Sequence, residues 1–425
     1  MKTRYDQVVE FLESLQIMPK TMPGLQKIQK ALQQTNWFSA SDPEKVIVVA
    51  GTNGKGSTCA MLEALLLHAH QKVGFYSSPH LVSTNERIRL NGESISESDF
   101  IQLFEKCEEI IRSCELSHFE ALTFMAGHYY FSEDWNHNLD YVILEVGLGG
   151  TYDATNAFAH RYSVITPIDF DHTNILGKTL AEIAPNKWGI VQKDNTVVYQ
   201  PVAEEISAMV HQILALTNSK GIEVEAAVID IQKHENDPNY ILKSKWGETF
   251  LSMKGARAGQ NAMTALTSFA ALGFDPSLHL KALNTVNWRG RMQKIDWPGM
   301  ACPVYLSGDH NPHGIQSLIE ILKDYSWSTL HVMVGIGYDK DADEMLSGLT
   351  KLSNAKLYLT ETPFKGLRTS QYPIQFINLA TLKNENPILL LQAIADQAGA
   401  TDLVIVTGSL YLVGEILKMR PDSVE

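Results

Sequence analysis

The chain has 425 residues and carries 35 Lys and Arg against 48 Asp and Glu, so its formal net charge is −13 at pH 7. A chain this acidic is a poor non-specific binder of nucleic acid or of anionic membranes, because both need clustered cations. Any phosphate site must therefore be local, made by backbone amides and a few Lys or Arg side chains. The length predicts two or three domains.

The four cysteines form no Cys-x-x-Cys pair, which favours a reducing compartment and argues against a zinc ribbon or a disulfide framework. The N-terminal segment MKTRYDQVVEFLESL lacks the apolar run of a signal peptide. No stretch approaches about 18 uncharged apolar residues. We therefore expect a cytoplasmic protein with neither a membrane nor a nucleic-acid partner.

Short β-branched runs alternate with helical patterns in the first part of the chain. Strands are predicted at 45–51, 72–78, 140–147 and 162–168, and helices at 57–70, 98–114, 119–133 and within 179–191. This order is typical of a parallel sheet covered on both faces. Between about 220 and 254 the segments become shorter and more polar, which predicts hairpins appended to that sheet.

A second strand series follows the WPGM segment at 297–300. Its predicted strands are VYLSG, HVMVGIG, KLYLTET, QFINL and DLVIVTG, with helical stretches between them. The Pro-Gly pair and the restart of the pattern place a domain boundary near residue 296. The sequence therefore predicts two α/β domains, residues 1–295 and 296–425.

The segment AGTNGKGST, residues 50–58, follows a predicted strand and opens a predicted helix. Close approach of a phosphate favours Gly51, Gly54 and Gly56, and Lys55 supplies a cation beside the free amides of a helix N-terminus. Ser57 or Thr58 offers a hydroxyl to phosphate or magnesium. The loop is about one residue shorter than the strict Walker pattern and has glycine after the lysine. The alternative is a plain glycine turn; a nucleotide phosphate site is favoured, without a stated reaction.

Several longer segments resemble those of one enzyme superfamily. GTNGKGS, YSSPHLVSTNERI, EVGLGGTYDATN and DFDHTNILGKT are similar to motifs of the Mur ligases, and within them of the folylpolyglutamate and dihydrofolate synthases. HFEALT, DKD and TGSLYLVGE extend the resemblance over most of the chain. It implies an N-terminal P-loop NTPase-like parallel-sheet domain of the Mur central-domain type, a smaller C-terminal Rossmann-like α/β domain, and ATP between them.

The resemblance implies an ATP- and Mg²⁺-dependent ligase that adds L-glutamate to a folate, either tetrahydrofolate polyglutamate or dihydropteroate. A carboxylate is a poor electrophile, and phosphorylation to an acyl phosphate gives it a leaving group that the amine of glutamate displaces. Such a transfer needs positioning and charge neutralisation more than a covalent nucleophile. The resemblance implies that Thr52 and Asn53 share the phosphate loop, and that relatives are usually monomers.

Glu145 ends a predicted strand at the edge where open α/β sheets place ligands. Its carboxylate oxygens suit magnesium, although a strand-end carboxylate paired with Lys or Arg is the alternative. By resemblance, Ser78 and His172 complete the metal set, and Lys187 is the lysine that is carbamylated to bridge magnesium ions. The family pattern around that lysine is changed here by Asn186 and Trp188, so an ordinary exposed lysine stays open.

The resemblance also implies substrate-binding and ATP-binding residues beyond the loop. Asp153 and Asn156 match a stretch that binds the pterin end of folate, although turns of this kind often only satisfy backbone amides. His80 lines the same cleft in the family. The ATP-site candidates outside the loop are Asn261, Arg291, Ser307, Asp309 and His310. Lys55, Lys187 and His172 are the implied catalytic residues.

Some ATP-site motifs depart from the family pattern. Ser307 stands where relatives have Asp, Asp309 where they have Ala, and Arg257-Ala258 replaces a His-Gln pair. In one interpretation Asp309 supplies the missing acid and the chain is an ordinary ligase, which the intact loop, Glu145, His172 and Lys187 favour. The alternatives are a Mur-type ligase for another carboxylate and amino acid, or a nucleotide-binding paralogue with weak turnover.

Overall fold

A computed structural model describes residues 2–16, 24–39, 41–170, 173–232 and 237–419, with the backbone alone at residues 173 and 174. The contacts divide the chain into two compact units. The first contains residues 1–227, 244–247 and 260–283, and the second contains 228–243, 248–259 and 284–425. Each unit is built around its own sheet and its own hydrophobic core.

An eight-stranded sheet forms the centre of the first unit. Its strands are β1 (Val46–Ala50), β2 (Val73–Tyr76), β3 (Ile88–Leu90), β4 (Glu93–Ser94), β5 (Tyr141–Glu145), β6 (Tyr162–Ile165), β7 (Thr196–Tyr199) and β8 (Lys220–Glu223). The order is β4-β3-β2-β5-β1-β6-β7-β8, antiparallel at β3 and β4 and parallel elsewhere. Because β1 lies in the middle and is wholly buried, it is almost entirely Val and Ile.

The described residues up to Ala271 contain nine α-helices. They are α1 (Arg4–Ser14), α2 (Gln26–Leu32), α3 (Lys55–His68), α4 (Glu97–Ser113), α5 (His118–Phe131), α6 (Thr173–Leu176), α7 (Leu180–Trp188), α8 (Glu204–Leu216) and α9 (Ala256–Ala271). Helix α3 packs on β1, β2 and β5, while α5 packs on β2 and is itself covered by α1, α2 and α4. Both α3 and α5 are apolar on most sides, as expected of helices enclosed in a core.

The rest of the described chain contains two further sheets. An antiparallel sheet of order β11-β10-β9 is formed by β9 (Val228–Gln232), β10 (Asn239–Ser244) and β11 (Gly247–Leu251). A six-stranded sheet of order β12-β13-β17-β14-β15-β16 is formed by β12 (Gln293–Ile295), β13 (Val304–Leu306), β14 (Leu330–Val334), β15 (Ala355–Leu359), β16 (Leu382–Lys383) and β17 (Leu403–Thr407), with β12 antiparallel. Its helices are α10 (Pro312–Leu322), α11 (Ala342–Leu349), α12 (Ile374–Leu379), α13 (Pro387–Ala395) and α14 (Leu410–Lys418).

The predicted α/β class, with a large mostly parallel sheet first and a smaller one after it, is confirmed. Two local predictions are wrong. The segment QFINL is helix α12, because Pro373 precedes it as the N-cap and its buried residue, Phe376, packs in the core while Ile374 and Leu379 stay exposed. Residues 220–223 are strand β8 of the main sheet, paired parallel with β7, and only 228–251 form hairpins, in a sheet of their own.

The division of domains at residues 295 and 296 stays a prediction; β12, just before it, pairs with β13 just after it.

Throughout the described ranges, none of the helices combines the length and the apolar character needed to cross a bilayer. All four cysteines are buried as free thiols.

Candidate active site

The glycine-rich loop connects β1 to α3 and lies in close contact with its surroundings. Gly51 has φ +146°, and a Cβ there would come within 1.9 Å of the Thr166 hydroxyl oxygen. Gly54 is the N-cap of α3 with φ +86°, and a Cβ there would come within 2.5 Å of Oδ1 of Asn261. Both positions therefore need glycine, because the backbone is left-handed and no space remains for a side chain.

Polar contacts anchor this loop at the carboxyl end of the sheet. The Thr52 amide donates to the Pro167 carbonyl at 2.8 Å, and the Thr52 hydroxyl is bonded to the backbone of Asp169. Lys55 donates to the carbonyl oxygens of Gly51 at 3.1 Å and Thr52 at 3.3 Å. The first amides of α3 have no acceptor within the helix, so loop, helix end and lysine together form an anion-binding geometry.

Helix α3 places two hydroxyl groups in its first turns. Ser57 is buried, and the amide of Thr58 donates to the carbonyl of Gly54 as the first helical hydrogen bond, at 2.9 Å. The Thr58 hydroxyl oxygen is buried and makes no hydrogen bond within the described part of the chain. A buried hydroxyl without a partner at a helix N-terminus suits a bound oxyanion or its metal.

Lys187 is buried, against the alternative of an ordinary exposed lysine. Only 4% of its surface is exposed, and its ammonium donates to the carbonyl of Gly51 at 2.9 Å. Trp188, which is fully buried, closes the interior side of α7, and the Asn186 carbonyl accepts from Thr151. Helix α7 therefore brings a buried lysine side chain to the phosphate loop.

Glu145 and Ser78 lie next to each other at the same edge of the sheet. Strand β5 pairs Glu145 with Val49 of β1, two residues before the loop, and the Ser78 amide donates to Oε2 of Glu145 at 3.1 Å. Glu145 is only 4% exposed. Burial, followed by the charge of Glu145, raises the pKa of the Cys59 thiol well above its usual range, so this thiol stays protonated.

The residues at this edge fit a magnesium ion by the chemistry of their donors. The Glu145 carboxylate and the Ser78 hydroxyl are hard oxygen ligands, which Mg²⁺ prefers. His172, the third predicted ligand, lies outside the described residues. Among the residues the structure describes, no three His, Cys, Asp or Glu side chains are grouped as a metal site.

Asn261 belongs to a buried amide network that the sequence did not reveal. The Gln200 amide, just after β7, donates to the Thr264 hydroxyl at 2.8 Å and to Oδ1 of Asn261 at 3.4 Å. Gln200 and Asn261 are 4% and 5% exposed. Thr166 and Gln200 were both missed as site residues, although each follows a strand at the carboxyl edge of the sheet, and that position is the signal which could have found them.

Asp153 is fully engaged inside its own loop. Its carboxylate accepts from the amides of Gly147, Leu148 and Thr155 and from the hydroxyl of Thr155, at 2.6 to 3.1 Å. Burial raises the pKa of this carboxyl, while the four hydrogen bonds oppose that rise. The geometry favours the alternative that Asp153 satisfies backbone amides and shapes the loop after β5.

Asn156 and His80, the other two predicted folate-binding residues, each make hydrogen bonds to neighbouring segments. The Asn156 amide donates to the carbonyls of Thr151 and Gly189, which ties the loop to the end of α7. Its Oδ1 is buried and makes no hydrogen bond among the described residues. His80 follows Ser78 and accepts at Nδ1 from the guanidinium of the buried Arg87, at 3.0 Å. Asn156 therefore keeps an acceptor, and His80 is held in one orientation.

In the second unit, the predicted ATP-site residues lie in two adjoining loops. The Gly308 amide donates to Gly290 at 2.8 Å, and Arg291 donates to the Gly308 carbonyl at 3.3 Å. The Ser307 hydroxyl donates to Oδ2 of Asp309 at 2.6 Å, and His310 donates from Nδ1 to Gly308 at 2.9 Å. The carboxylate of Asp309 is therefore fixed by the serine that replaces the acid of the family pattern.

Arg257 belongs to the same unit and contacts the start of α10. Its guanidinium donates to the His313 carbonyl at 2.6 Å. Ala258, next to it, is buried. These two residues are the departure from the His-Gln pair, and here they connect α9 to α10.

Comparison with known proteins shows the family to which the chain belongs. The Mur ligase middle domain matches residues 49–269, and the Mur ligase glutamate ligase domain matches residues 290–410. The dihydrofolate synthase/folylpolyglutamate synthase of Bacillus subtilis is 30% identical over 421 residues, which cover 93% of this chain and 94% of the relative.

Two solved structures are similar along almost the whole length. One, of Escherichia coli FolC in complex with DHPP and ADP, has 26% identity and a TM-score of 0.83 and covers 98% of this chain and 97% of the other. The second, a bifunctional folylpolyglutamate synthase/dihydrofolate synthase with Mn, AMPPNP and L-glutamate bound, has 26% identity and a TM-score of 0.81 and covers 98% of both chains.

Fold and phosphate loop thus define a ligase of the Mur type. Since the relatives match over nearly the full chain, the protein belongs to the folylpolyglutamate synthase/dihydrofolate synthase family of the Mur ligases. The predicted family, the class of an ATP-dependent ligase and the need for ATP with a divalent metal are confirmed by these relatives. The roles of single site residues stay predictions.

Proposed function

We propose that the chain joins L-glutamate to the carboxylate of a folate, with ATP converting that carboxylate to an acyl phosphate. The substrate is tetrahydrofolate polyglutamate, dihydropteroate or both. The observation that carries the proposal is the contact of the buried Lys187 ammonium with Gly51 in the phosphate loop, with the Glu145 and Ser78 pair one strand away. The Bacillus subtilis relative matches over 93% of this chain and 94% of its own length, which supports the proposal.

The loop residues hold the phosphates. Gly51 and Gly54 leave the backbone bare, so the amides at the start of α3 reach the phosphate oxygens, and Lys55 adds the cation. Lys55 bonds to the loop carbonyls, which keeps its ammonium within the loop instead of in solvent. Such preorganisation stabilises charge that develops during phosphoryl transfer without further rearrangement.

The magnesium ions would be held by Glu145, Ser78 and His172, with Thr58 next to the phosphates. When bound, magnesium neutralises phosphate charge during the transfer. Glu145 is fixed by the Ser78 amide, so its carboxylate does not need to reorganise. Lys187, once carbamylated, becomes an anion beside Gly51 and joins this set, and its burial supports that modification.

Arg291 and the Asp309 loop, both in the second unit, are further ATP-site candidates. A guanidinium binds phosphate oxygens through two parallel donors, and Arg291 sits on the Gly308 carbonyl. Asp309, held by Ser307, provides the acid that the family places two residues earlier. His310 and Asn261 complete the ATP-site candidates, and His80, Asp153 and Asn156 surround the folate. Asp153 does so by shaping its loop.

The test is a direct assay of the purified chain. ATP, Mg²⁺ and L-glutamate are supplied with dihydropteroate in one reaction and tetrahydrofolate in another, and phosphate and the lengthened folate are measured together. We expect phosphate and product in equal amounts with at least one pteridine acid. Phosphate released only with a non-folate carboxylic acid would establish the alternative Mur-type ligase, and tight ATP binding without product would establish a paralogue without turnover.

The protein is also proposed to act as a cytoplasmic monomer. Its small-molecule substrates need no partner chain; one similar solved structure holds AMPPNP and L-glutamate, and another holds AMPPCP and folate. Sedimentation of the purified chain in its assay buffer tests the monomer, and a dimer at assay concentration would contradict it.

A further inference from the structure

Two histidines far from the phosphate loop face each other at short distance. His68 is the last residue of α3, and His279 follows the 3₁₀ turn Pro276–Leu278 beyond α9. Their Nδ1 atoms lie 2.9 Å apart, with ring planes at 87° and centroids 5.1 Å apart. One proton between two neutral rings accounts for this contact, since two imidazolium ions would repel at this distance.

The same spacing suits two ligands of one metal ion. Imidazole nitrogens bind zinc at about 2.0–2.1 Å, so two of them 2.9 Å apart subtend about 90° at the ion. An angle near 90° is typical of neighbouring ligands in octahedral or square-planar sites. A metal ion would therefore replace the shared proton, which moves to Nε2 of its own ring, as both rings turn so that their Nδ1 lone pairs point at the ion.

Neighbouring side chains restrain the ring of His279 more than that of His68. The His279 ring packs edge-on against Phe269 at 5.3 Å, while His68 is exposed and able to turn its ring. The contact with Phe269 thus fixes the plane of the His279 ring, and its Nδ1 atom faces His68. His70 and Asp275 also act on His279 electrostatically, and His70 is exposed with φ +59°.

We propose that His68 and His279 bind a divalent transition-metal ion that favours imidazole, such as Zn²⁺, Ni²⁺ or Cu²⁺. Water completes the coordination on the exposed side. Magnesium is a poor occupant, because it prefers oxygen ligands, so this site is chemically distinct from the one at Glu145. The pair supplies only two protein ligands, which predicts a weak, exchangeable site instead of a structural zinc.

The position of the two histidines predicts that a bound metal ion stabilises the folded protein. The N-cap of α3, Gly54, contacts Asn261 of α9, and the two histidines join the far end of α3 to the segment after α9. A metal at the pair would connect these two segments at a second point. Because it binds the folded state, we expect it to raise the melting temperature by about 2–5 °C at saturation.

The experiment titrates the intact protein with Ni²⁺ or Zn²⁺, with excess Mg²⁺ present throughout. We expect one ion per chain, an affinity at least about tenfold weaker in H68A and in H279A, and loss of the thermal shift in both. The control is H211A, since His211 is exposed on α8 and bonds only to its own helix at Ser207. Equal affinity in wild type and H68A would overturn the proposal.

A second measurement covers the chance that H68A or H279A folds poorly. H279N keeps a polar side chain of similar shape but offers a much weaker ligand, and its folding is checked by circular dichroism. In the wild type, Cu²⁺ electron paramagnetic resonance is expected to show hyperfine coupling to two imidazole nitrogens, and to one in H279N. Coupling to none in the wild type would contradict the site.

Discussion

Single residues determine how closely the phosphate loop is packed. Gly54 has no room for a side chain because Asn261 lies against it, and Asn261 in turn is held by Gln200. This chain of contacts runs from the end of β7 through α9 to the start of α3. The loop geometry therefore depends on residues that never touch a phosphate themselves.

The first prediction concerns Gly54→Ala. The added Cβ would lie 2.5 Å from Oδ1 of Asn261 and would adopt φ +86°, so the loop and Asn261 must both shift. We expect ATP-analogue affinity to fall at least about tenfold, or about 1.4 kcal/mol. Titration calorimetry measures it.

The matched control for this change is Gly273→Ala. Gly273 has a similar φ, +96°, but a Cβ there meets nothing within 4 Å. It should cost about 1 kcal/mol of stability through backbone strain alone and leave ATP-analogue affinity unchanged. If both variants lost the same affinity, general strain and not the Asn261 contact would be responsible.

The second prediction concerns Gln200→Met, which keeps the length of the side chain and removes its amide. Asn261 loses a donor at 3.4 Å and Thr264 one at 2.8 Å, so Asn261 is no longer oriented against the loop. We expect KM for ATP to rise about three- to tenfold with kcat changed less than about twofold. Steady-state kinetics over a range of ATP concentrations measure this split.

A comparison variant separates positioning from general stability. Gln192→Met removes an amide that donates to the carbonyls of Phe158 and Asn156, also in the first unit, without touching Asn261. It should lower the melting temperature and leave KM for ATP unchanged. An unchanged KM in Q200M as well would remove Gln200 from the site.

At this scale the sequence predicts residue types better than their roles. The loop glycines, Lys55 and Glu145 lie at the carboxyl edge of the sheet as the sequence predicts, because a strand followed by a helix places the connecting loop there, while their roles stay predictions. Asp153 shows the limit: its hydrogen bonds to its own loop become visible only in three dimensions. Gln200 has no local motif, since its partner Asn261 is 61 residues further along the chain.

The elements that carry these residues were predicted with unequal success. Buried strands such as β1 and β5 are mostly apolar and rich in Val and Ile, and the sequence locates them within one or two residues. Short segments are ambiguous, because a run of five residues such as QFINL is too short for the spacing of its apolar residues to separate a strand from a helix. This segment forms helix α12 because Phe376 packs in the hydrophobic core of the second unit.

The third prediction concerns the loop between β13 and α10. If Asp309 supplies the acid of this loop, Asp309→Ala should lower kcat/KM about 100-fold, since a fixed charge near the phosphates is lost. Ser307→Ala removes only the 2.6 Å hydrogen bond that orients the carboxylate, and should cost about tenfold or less. The glutamate-ligation assay measures both variants.

A rescue variant makes this test specific. In the D309A background, Ser307→Asp moves the carboxylate to the position that the family pattern uses, and we expect it to recover most of the lost activity. If D309A were as active as wild type, the acid would not be needed here. If S307D raised the activity of the otherwise unchanged chain about tenfold or more, the natural loop would be a weakened one.

Across the whole molecule, both units keep histidines buried and neutral. Burial lowers the pKa of His118 to about 4 and also lowers the pKa values of His160 and of His331 in the second unit. His118 donates from Nδ1 to the Leu12 carbonyl at 2.9 Å, which joins α5 to α1. His331 lies between Tyr358 and Asp402. Each of these rings must take up a proton when the chain unfolds in acid.

The last prediction follows from the sign of this shift. His118 has a folded pKa of about 4, below its unfolded value near 6.5, so the folded state favours the neutral ring. The contribution of the neutral His118 ring to the free energy of unfolding is complete above about pH 6.5 and is lost as the pH falls toward 4. The loss reaches about 2 kcal/mol by pH 5. His118→Asn keeps a donor for the Leu12 carbonyl but has no titrating group. Urea unfolding of wild type and H118N at about pH 7 and pH 5 should therefore show a smaller acid loss of unfolding free energy in H118N. His211→Asn, at an exposed site, should behave as wild type, and equal losses in all three proteins would contradict the assignment.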